Sequence, residues 1–362
     1  MIIQCASAVI DGALAADHWI EINDGLISDI QSGIHTAPDR VIEGTVIPAF
    51  VDIHCHGGGG SYFSDSNGIE DVINFHRSHG TGTIVASLVS EPLHVLREQI
   101  ARLVPLYHSG EIAGIHLEGP YLSHARCGAH LPENLITPVW KDIDELLSIG
   151  EGAIVMITIA PELEGAIECI ERLVDNGVVA AIGHTAASLE VIEDAIEAGA
   201  ELVTHFTNGM VKPEQDRELT DSLLDDDRLS LELILDGHHV SRENTTEVLS
   251  IDTSRVIAVT DAMQAAGQPD GKYMIGSIPV TVKDGVARLE NGSLAGSTLT
   301  MDEAFTRLVR NFGVSIEDAV AMTSENASLL LGLDDCGVIA IGEAADLLEW
   351  NGESIHRILS RN

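Results

Sequence analysis

Basic side chains are scarce: 19 Lys and Arg stand against 57 Asp and Glu in 362 residues, a formal net charge of −38. So acidic a surface argues against a nucleic-acid partner, whose phosphates are bound by Lys/Arg-rich faces, and against an anionic membrane surface. It still leaves room for a small anionic substrate, because one Arg or a metal ion can invert the potential inside a cleft. The first basic residue is Arg40, so the N-terminus lacks the positive n-region of a signal peptide. No apolar run approaches the roughly 18 residues of a membrane span. The 5 cysteines (Cys5, Cys55, Cys127, Cys169 and Cys336) include no CxxC pair and read as reduced thiols. These absences point to a cytoplasmic chain, and 45% apolar with 21% charged residues fits a globular one. A GxGxxG or GKT pattern is also missing, so Gly57–Gly60 is a turn rather than a nucleotide loop, and no organic cofactor is expected.

Short β-rich runs fill both ends. Ile2–Ile10, His18–Asn23, Gly25–Ile30 and Arg40–Ile42 are separated by turn signals such as Asn23-Asp24-Gly25. Gly337–Ile341, Asp346–Trp350 and Ile355–Leu359 repeat that texture. We therefore expect a small β-sandwich built from residues 1–47 and 333–362, and a second domain over residues 48–332. That middle alternates eight apolar runs with amphipathic segments: Val46–His56, Gly82–Leu88, Ala113–Glu118, Ala153–Ala160, Val178–His184, Leu202–Phe206, Leu231–Asp236 and Val256–Asp261. Eight strands alternating with helices predict a (β/α)₈ TIM-type barrel of the α/β class; an open doubly wound sheet is the rival. Residues 271–294, with Gly276, Gly285 and Gly292, break the rhythm as a β insertion. Helices resume at Met301–Asn311 and Ser315–Leu331.

The predicted strands end in chemistry-bearing side chains: His54-Cys55-His56, Glu118, His184, His205 and Asp261. Residues two apart on a strand share a face, so His54 and His56 point together. In a barrel the C-terminal strand ends converge on one mouth, and imidazoles with a carboxylate there suit Zn²⁺ or a similar divalent ion. A lone histidine at a strand end is more often a satisfied polar residue, and His18, His35, His76, His79 and His94 are left as such. His116 is expected to be a packed barrel residue.

These residues carry a resemblance. Pro48–Gly57 (PAFVDIHCHG) resembles the first-strand motif of the amidohydrolase superfamily. Gly114–Pro120 (GIHLEGP), Gly183–Ser188 (GHTAAS), Thr204–Met210 (THFTNGM), Asp236–Val240 (DGHHV), Val259–Met263 (VTDAM), Leu294–Ser297 (LAGS) and Gly337–Leu347 (GVIAIGEAADL) are similar to the N-acetylglucosamine-6-phosphate deacetylases of that superfamily. The motifs follow the family's order over nearly the whole chain.

The resemblance implies a metal site with Glu118, His184 and His205 as core ligands. Because both His54 and His56 are present, one or two ions fit. It implies Asp261 as the acid/base that takes a proton from water and passes it to the amine, and His130 as the group that stabilises the developing oxyanion. Substrate contacts carry over to Ala129, Asn208, Gly209, His239, Leu294, Ala295 and Gly296. Arg217 matches a phosphate-binding arginine that the family often supplies across a homodimer, although Leu219-Thr220 replaces the usual Pro-Gly after Arg217-Glu218. The implied reaction releases acetate from N-acetylglucosamine 6-phosphate; another N-acyl amino sugar or an N-acyl amino acid is the alternative substrate. Cyclic amidases of the superfamily typically bridge their metals with a carboxylated lysine on the fourth strand, and Ala153–Ala160 has no Lys. A catalytically dead barrel is disfavoured by the retained ligand set. Cys127 is expected to be inert, and no role is assigned to His238.

Overall fold

A computed structural model describes residues 1–250 and 252–360. The chain divides into two compact units, residues 1–52, 76–83 and 300–362, and residues 53–75 and 84–299.

In the first unit both ends of the chain enter one six-stranded sheet. Its order is Ile355–Leu359, Leu347–Trp350, Arg40–Pro48, Ile2–Ile10, Ala13–Asn23, Leu26–Ser32. The neighbours pair antiparallel except Ile2–Ile10 with Arg40–Pro48, which run parallel. Two hairpins close on Asp-Gly pairs, Asp11-Gly12 and Asp24-Gly25, with both residues at positive φ. That is the two-residue turn whose twist suits adjoining strands. Alternation places Ile3, Cys5, Ile20, Ile22, Ile27, Val46 and Leu347 in one buried cluster. Two expectations need correcting. The run Val46–His56 is two strands, since Arg40–Pro48 belongs to this sheet and Phe50–Cys55 to the barrel. Gly337–Ile341 forms no strand; Ile339 is buried in the same cluster, and its carbonyl accepts a hydrogen bond from the Asp11 N–H.

The barrel sheet holds eight parallel strands in chain order: Phe50–Cys55, Thr81–Val89, Gly114–Glu118, Ile154–Ile159, Val179–Ile182, Leu202–Val203, Ser230–Ile234 and Val256–Val259. The first and last meet through a parallel Cys55–Ala262 bridge, and the His56 and Gly57 amides donate to the Ala262 carbonyl at 3.0 and 2.9 Å. The fold is therefore a (β/α)₈ barrel. Its strands are buried on both faces and read as continuous apolar runs. Amphipathic helices such as Ala166–Asp175 bury Ala166, Cys169, Ile170 and Leu173.

Inside, a polar chain crosses from strand to strand: Ser87 Oγ to His116 Nδ1 at 3.0 Å, His116 Nε2 to Thr158 Oγ1 at 2.8 Å, and Thr158 Oγ1 to Thr204 Oγ1 at 2.8 Å. His116 is thus a packed barrel residue, as expected, and burial with the neighbouring His54 charge drives its pKa down. After the eighth strand comes an antiparallel three-stranded insertion, Gly271–Ile275, Ile278–Lys283 and Val286–Arg288.

Gly183 lies against this polar chain: an added Cβ would sit 2.7 Å from Thr158 Cγ2 and 2.8 Å from Thr204 Cβ. A Gly→Ala change where the backbone accepts it stabilises by about 0.4–1 kcal/mol, whereas overpacking costs about 1–3 kcal/mol. We expect Gly183→Ala to be destabilising by the latter amount in urea unfolding.

Candidate metal centre and substrate pocket

Each strand end delivers its side chain by a local device. His54 lies within the first barrel strand and His56 just past its end, while Glu118 closes the third strand. His184, His205 and Asp261 each stand two residues beyond a strand, with left-handed φ of 48°, 29° and 47°. Such backbone costs about 1–3 kcal/mol per residue and collects at functional sites. Here it turns three polar side chains into the barrel mouth.

The groups converge on Glu118. Its Oε1 lies 3.1 Å from His184 Nε2 and 2.9 Å from His205 Nε2; its Oε2 lies 3.1 Å from His56 Nε2 and 3.3 Å from His130 Nε2. His54 Nε2 is 3.2 Å from His56 Nε2, and His205 Nε2 is 3.1 Å from His184 Nε2. Asp261 Oδ1 reaches His56 at 3.4 Å and His54 at 3.6 Å. All are buried.

The Nδ1 partners decide what these rings offer. His54 Nδ1 donates to Glu232 Oε2 at 2.9 Å, His56 Nδ1 to the Ser87 carbonyl at 3.2 Å, and His184 Nδ1 to the Arg126 carbonyl at 2.7 Å. In its neutral form each ring therefore turns an Nε2 lone pair toward the centre, and binding a cation there displaces any proton the ring carries. Lone pairs facing one another across about 3 Å repel unless a cation lies among them, and anchored Nδ1–H groups are how metal-binding histidines are held. The donor set fits a divalent metal ion: His54, His56 and Asp261 form one close group, and Glu118 with His184 another. His130 differs from the other rings. Its Nδ1 accepts the Ser90 N–H at 3.3 Å, so its neutral ring carries hydrogen on Nε2. Although it lies within ligand range of Glu118 and His184, it is built as a hydrogen-bond donor.

Charge follows the same geometry. Burial pushes the Glu118 carboxyl up, but His130, His184 and His205 outweigh it and hold it well below the usual range. Asp261 is likewise lowered, the His56 hydrogen bond and the His54 and His56 charges overcoming burial. Burial depresses His56, yet Asp261 and Glu118 raise it to about 9. His130 is lowered by burial despite Glu118.

A cavity of about 330 Å³ opens above the centre. Ala129, Asn208, Gly209, His239, Leu294 and Gly296 line it with His56, Glu118, His130, His184, His205 and Asp261. Its wall is apolar at Tyr62, Val89, Met263 and Ile275. His239 donates from Nδ1 to Asp236 Oδ2 at 2.7 Å; burial raises the Asp236 carboxyl, but this bond and the His239 charge bring it to about 2. His238 is exposed.

Two expected contacts fall elsewhere. Ala295 is wholly buried in the core of the insertion. Arg217 is an exposed residue at the start of the helix Arg217–Asp225, does not line the pocket, and is paired with Glu247 and Asp221. The cation that lines the pocket is Lys212, whose Nζ donates to Asn208 Oδ1 at 3.1 Å. Sequence reasoning missed Lys212 and Glu232. Each left a signal: Glu232 is an acid inside the apolar run Leu231–Leu235, and Lys212 is a rare cation two residues past Met210.

Residues 45–360 match the Amidohydrolase family. The chain is 33% identical to the N-acetylgalactosamine-6-phosphate deacetylase of Escherichia coli O157:H7, over 88% of this chain and 86% of that one. It is 32% identical to the N-acetylglucosamine-6-phosphate deacetylase of Bacillus subtilis (strain 168), covering 96% and 92%. A solved structure of a mutant N-acetyl-D-glucosamine-6-phosphate deacetylase of Mycobacterium smegmatis, in complex with N-acetyl-D-glucosamine-6-phosphate, superposes with a TM-score of 0.94 at 36% identity, covering 99% and 97%.

An ion bound only by the folded chain stabilises it by mass action, about 4 kcal/mol at a thousandfold excess over Kd. Exhaustive chelation is therefore expected to lower the melting temperature, and readdition of Zn²⁺ to restore it, in a calorimetric scan.

Proposed function

The chain belongs to the amidohydrolase family, and from that premise we propose that it hydrolyses the N-acetyl amide of N-acetylglucosamine 6-phosphate to glucosamine 6-phosphate and acetate. The observation that carries this reading is the convergence of Glu118, the imidazoles that surround it and Asp261 at the floor of a sugar-sized cavity, alongside the deacetylase relatives. We assign the metal as Zn²⁺, held by Glu118, His184 and His205 with His54 and His56 available for a second ion. When bound, such an ion lowers the pKa of water from 15.7 to about 7 and polarises a carbonyl.

The chain's own groups supply the rest. Asp261, ionised and braced by the His54 and His56 rings, takes the proton from water as its oxygen attacks the acetyl carbon. It then hands that proton to the nitrogen as the C–N bond breaks, so glucosamine 6-phosphate leaves with a neutral amine. His130 Nε2–H donates to the carbonyl oxygen as negative charge gathers there. Val89, Met263 and Ile275 exclude water, and the polar rim of Asn208, Lys212 and His239 receives the phosphate. Arg217 would join that rim only from a second subunit, and a homodimer is proposed on that basis.

The relative named for N-acetylgalactosamine 6-phosphate supports a second reading, in which the C4 epimer is also accepted. Amine release from both phosphorylated sugars and from N-acetylglucosamine, measured on zinc-loaded protein, tests the assignment; absence of turnover on either phosphorylated sugar would sink it. Asp261→Asn should retain the fold and lose about 10²–10⁴-fold in kcat; near-wild-type turnover would remove Asp261 from the proton path. Lys212→Met should raise KM for the phosphorylated sugar and leave the unphosphorylated one unchanged. Arg217→Ala should do the same only if the protein is dimeric by light scattering.

A further inference from the structure

The seventh barrel strand, Ser230–Ile234, carries a single charged side chain, Glu232, and that side chain is wholly buried. A carboxylate stripped of water persists inside a protein only when donors or charges match it. One oxygen, Oε2, accepts both hydrogen bonds: from His54 Nδ1 at 2.9 Å and from the His205 N–H at 2.9 Å. The other, Oε1, is buried with no partner among the described residues. Two hydrogen bonds to one oxygen are a thin match for a full charge. The remaining match lies through the imidazole, whose Nε2 faces His56 Nε2 at 3.2 Å and Asp261 Oδ1 at 3.6 Å.

We propose that Glu232 is a positioning residue for the metal centre: it commits His54 to donating from Nδ1, and the affinity of the His54–His56 position for a divalent ion depends on it. The position built from Glu118, His184 and His205 does not share this dependence, since Glu232 touches only the His205 backbone. The inference rests on the metal-centre reading above. It adds that this chain has two separately tunable ion positions, one governed by an acid at the far side of a ligand ring. The carboxylate–histidine pair raises the basicity of the ligand nitrogen as well as orienting it, and loss of such a partner typically weakens metal affinity by about 10–100-fold.

The test is titration of chelator-stripped full-length protein with Zn²⁺ against a chromophoric chelator, with metal analysis of the end state. Wild type should take up two ions per chain in two resolvable steps. Glu232→Gln can keep both hydrogen bonds through its amide oxygen while losing the charge, so one step should weaken by about 10-fold; Glu232→Leu loses both and should approach about 100-fold. The other step should be unchanged in both variants. In a His54→Asn background that step is already gone, and adding Glu232→Gln should then change nothing further.

A wild-type chain that binds one ion, equal weakening of both steps, or an additional effect of Glu232→Gln on His54→Asn would each overturn the proposal. Should the leucine variant not fold, the isosteric glutamine and the double variant decide. Turnover is not read in this experiment. Two-step binding with the expected selectivity therefore supports the inference even if N-acetylglucosamine 6-phosphate is not a substrate, and its failure leaves the deacetylase assignment to its own assay.

Discussion

One carboxylate organises the barrel mouth. Glu118 is buried with four imidazole nitrogens within hydrogen-bond range, two on each of its oxygens. Several of these residues are held there at a cost. His184, His205 and Asp261 hold left-handed backbone, and His54 brings a second buried acid with it. What makes the arrangement self-consistent is that every ring but one has its outer nitrogen or its inner one assigned by a specific partner. The exception is His205, whose Nδ1 is buried without a partner among the described residues and which is held by its backbone amide instead. A cation at the centre relieves the crowding of lone pairs; the barrel wall and its polar chain from Ser87 to Thr204 keep the rings from turning away.

Much of this is legible in the residues alone. Alternation of apolar runs and amphipathic helices identifies the eight barrel strands, and the ends of those runs point to His54, His56, Glu118, His184, His205 and Asp261. Strand ends are legible because parallel barrel strands are buried on both faces, so their limits coincide with the loss of apolarity. The same property hides the boundary inside Val46–His56. A run buried throughout shows no change of texture where the chain passes from Arg40–Pro48 into Phe50–Cys55. Gly337–Ile341 misleads in the opposite direction: Ile339 is buried as a strand residue would be, but its backbone joins no ladder. Glu232 escapes notice because a buried acid on an apolar strand acquires meaning only through a residue 178 positions away.

The loop after Met210 shows how far charge can be read from sequence alone. In a chain of net charge −38, several guanidinium groups find acids: Arg97 with Glu145, Arg172 with Asp144, Arg228 with Asp226, Arg307 with Glu303, Arg357 with Asp346. Arg217 does the same, so its motif match does not make it an available phosphate ligand within its own subunit. Lys212 is tied to the neutral Asn208 amide and stands on the pocket wall. The overall acidity is no barrier to an anionic substrate, because fields from exposed charges fade over about 8 Å at physiological ionic strength. What governs binding is the short-range set inside the cavity, where an ammonium, imidazole donors and any bound ion outweigh Glu118 and Asp261. Net charge therefore constrains which partners approach the surface, and the cations left unneutralised by neighbouring acids determine what the pocket can hold.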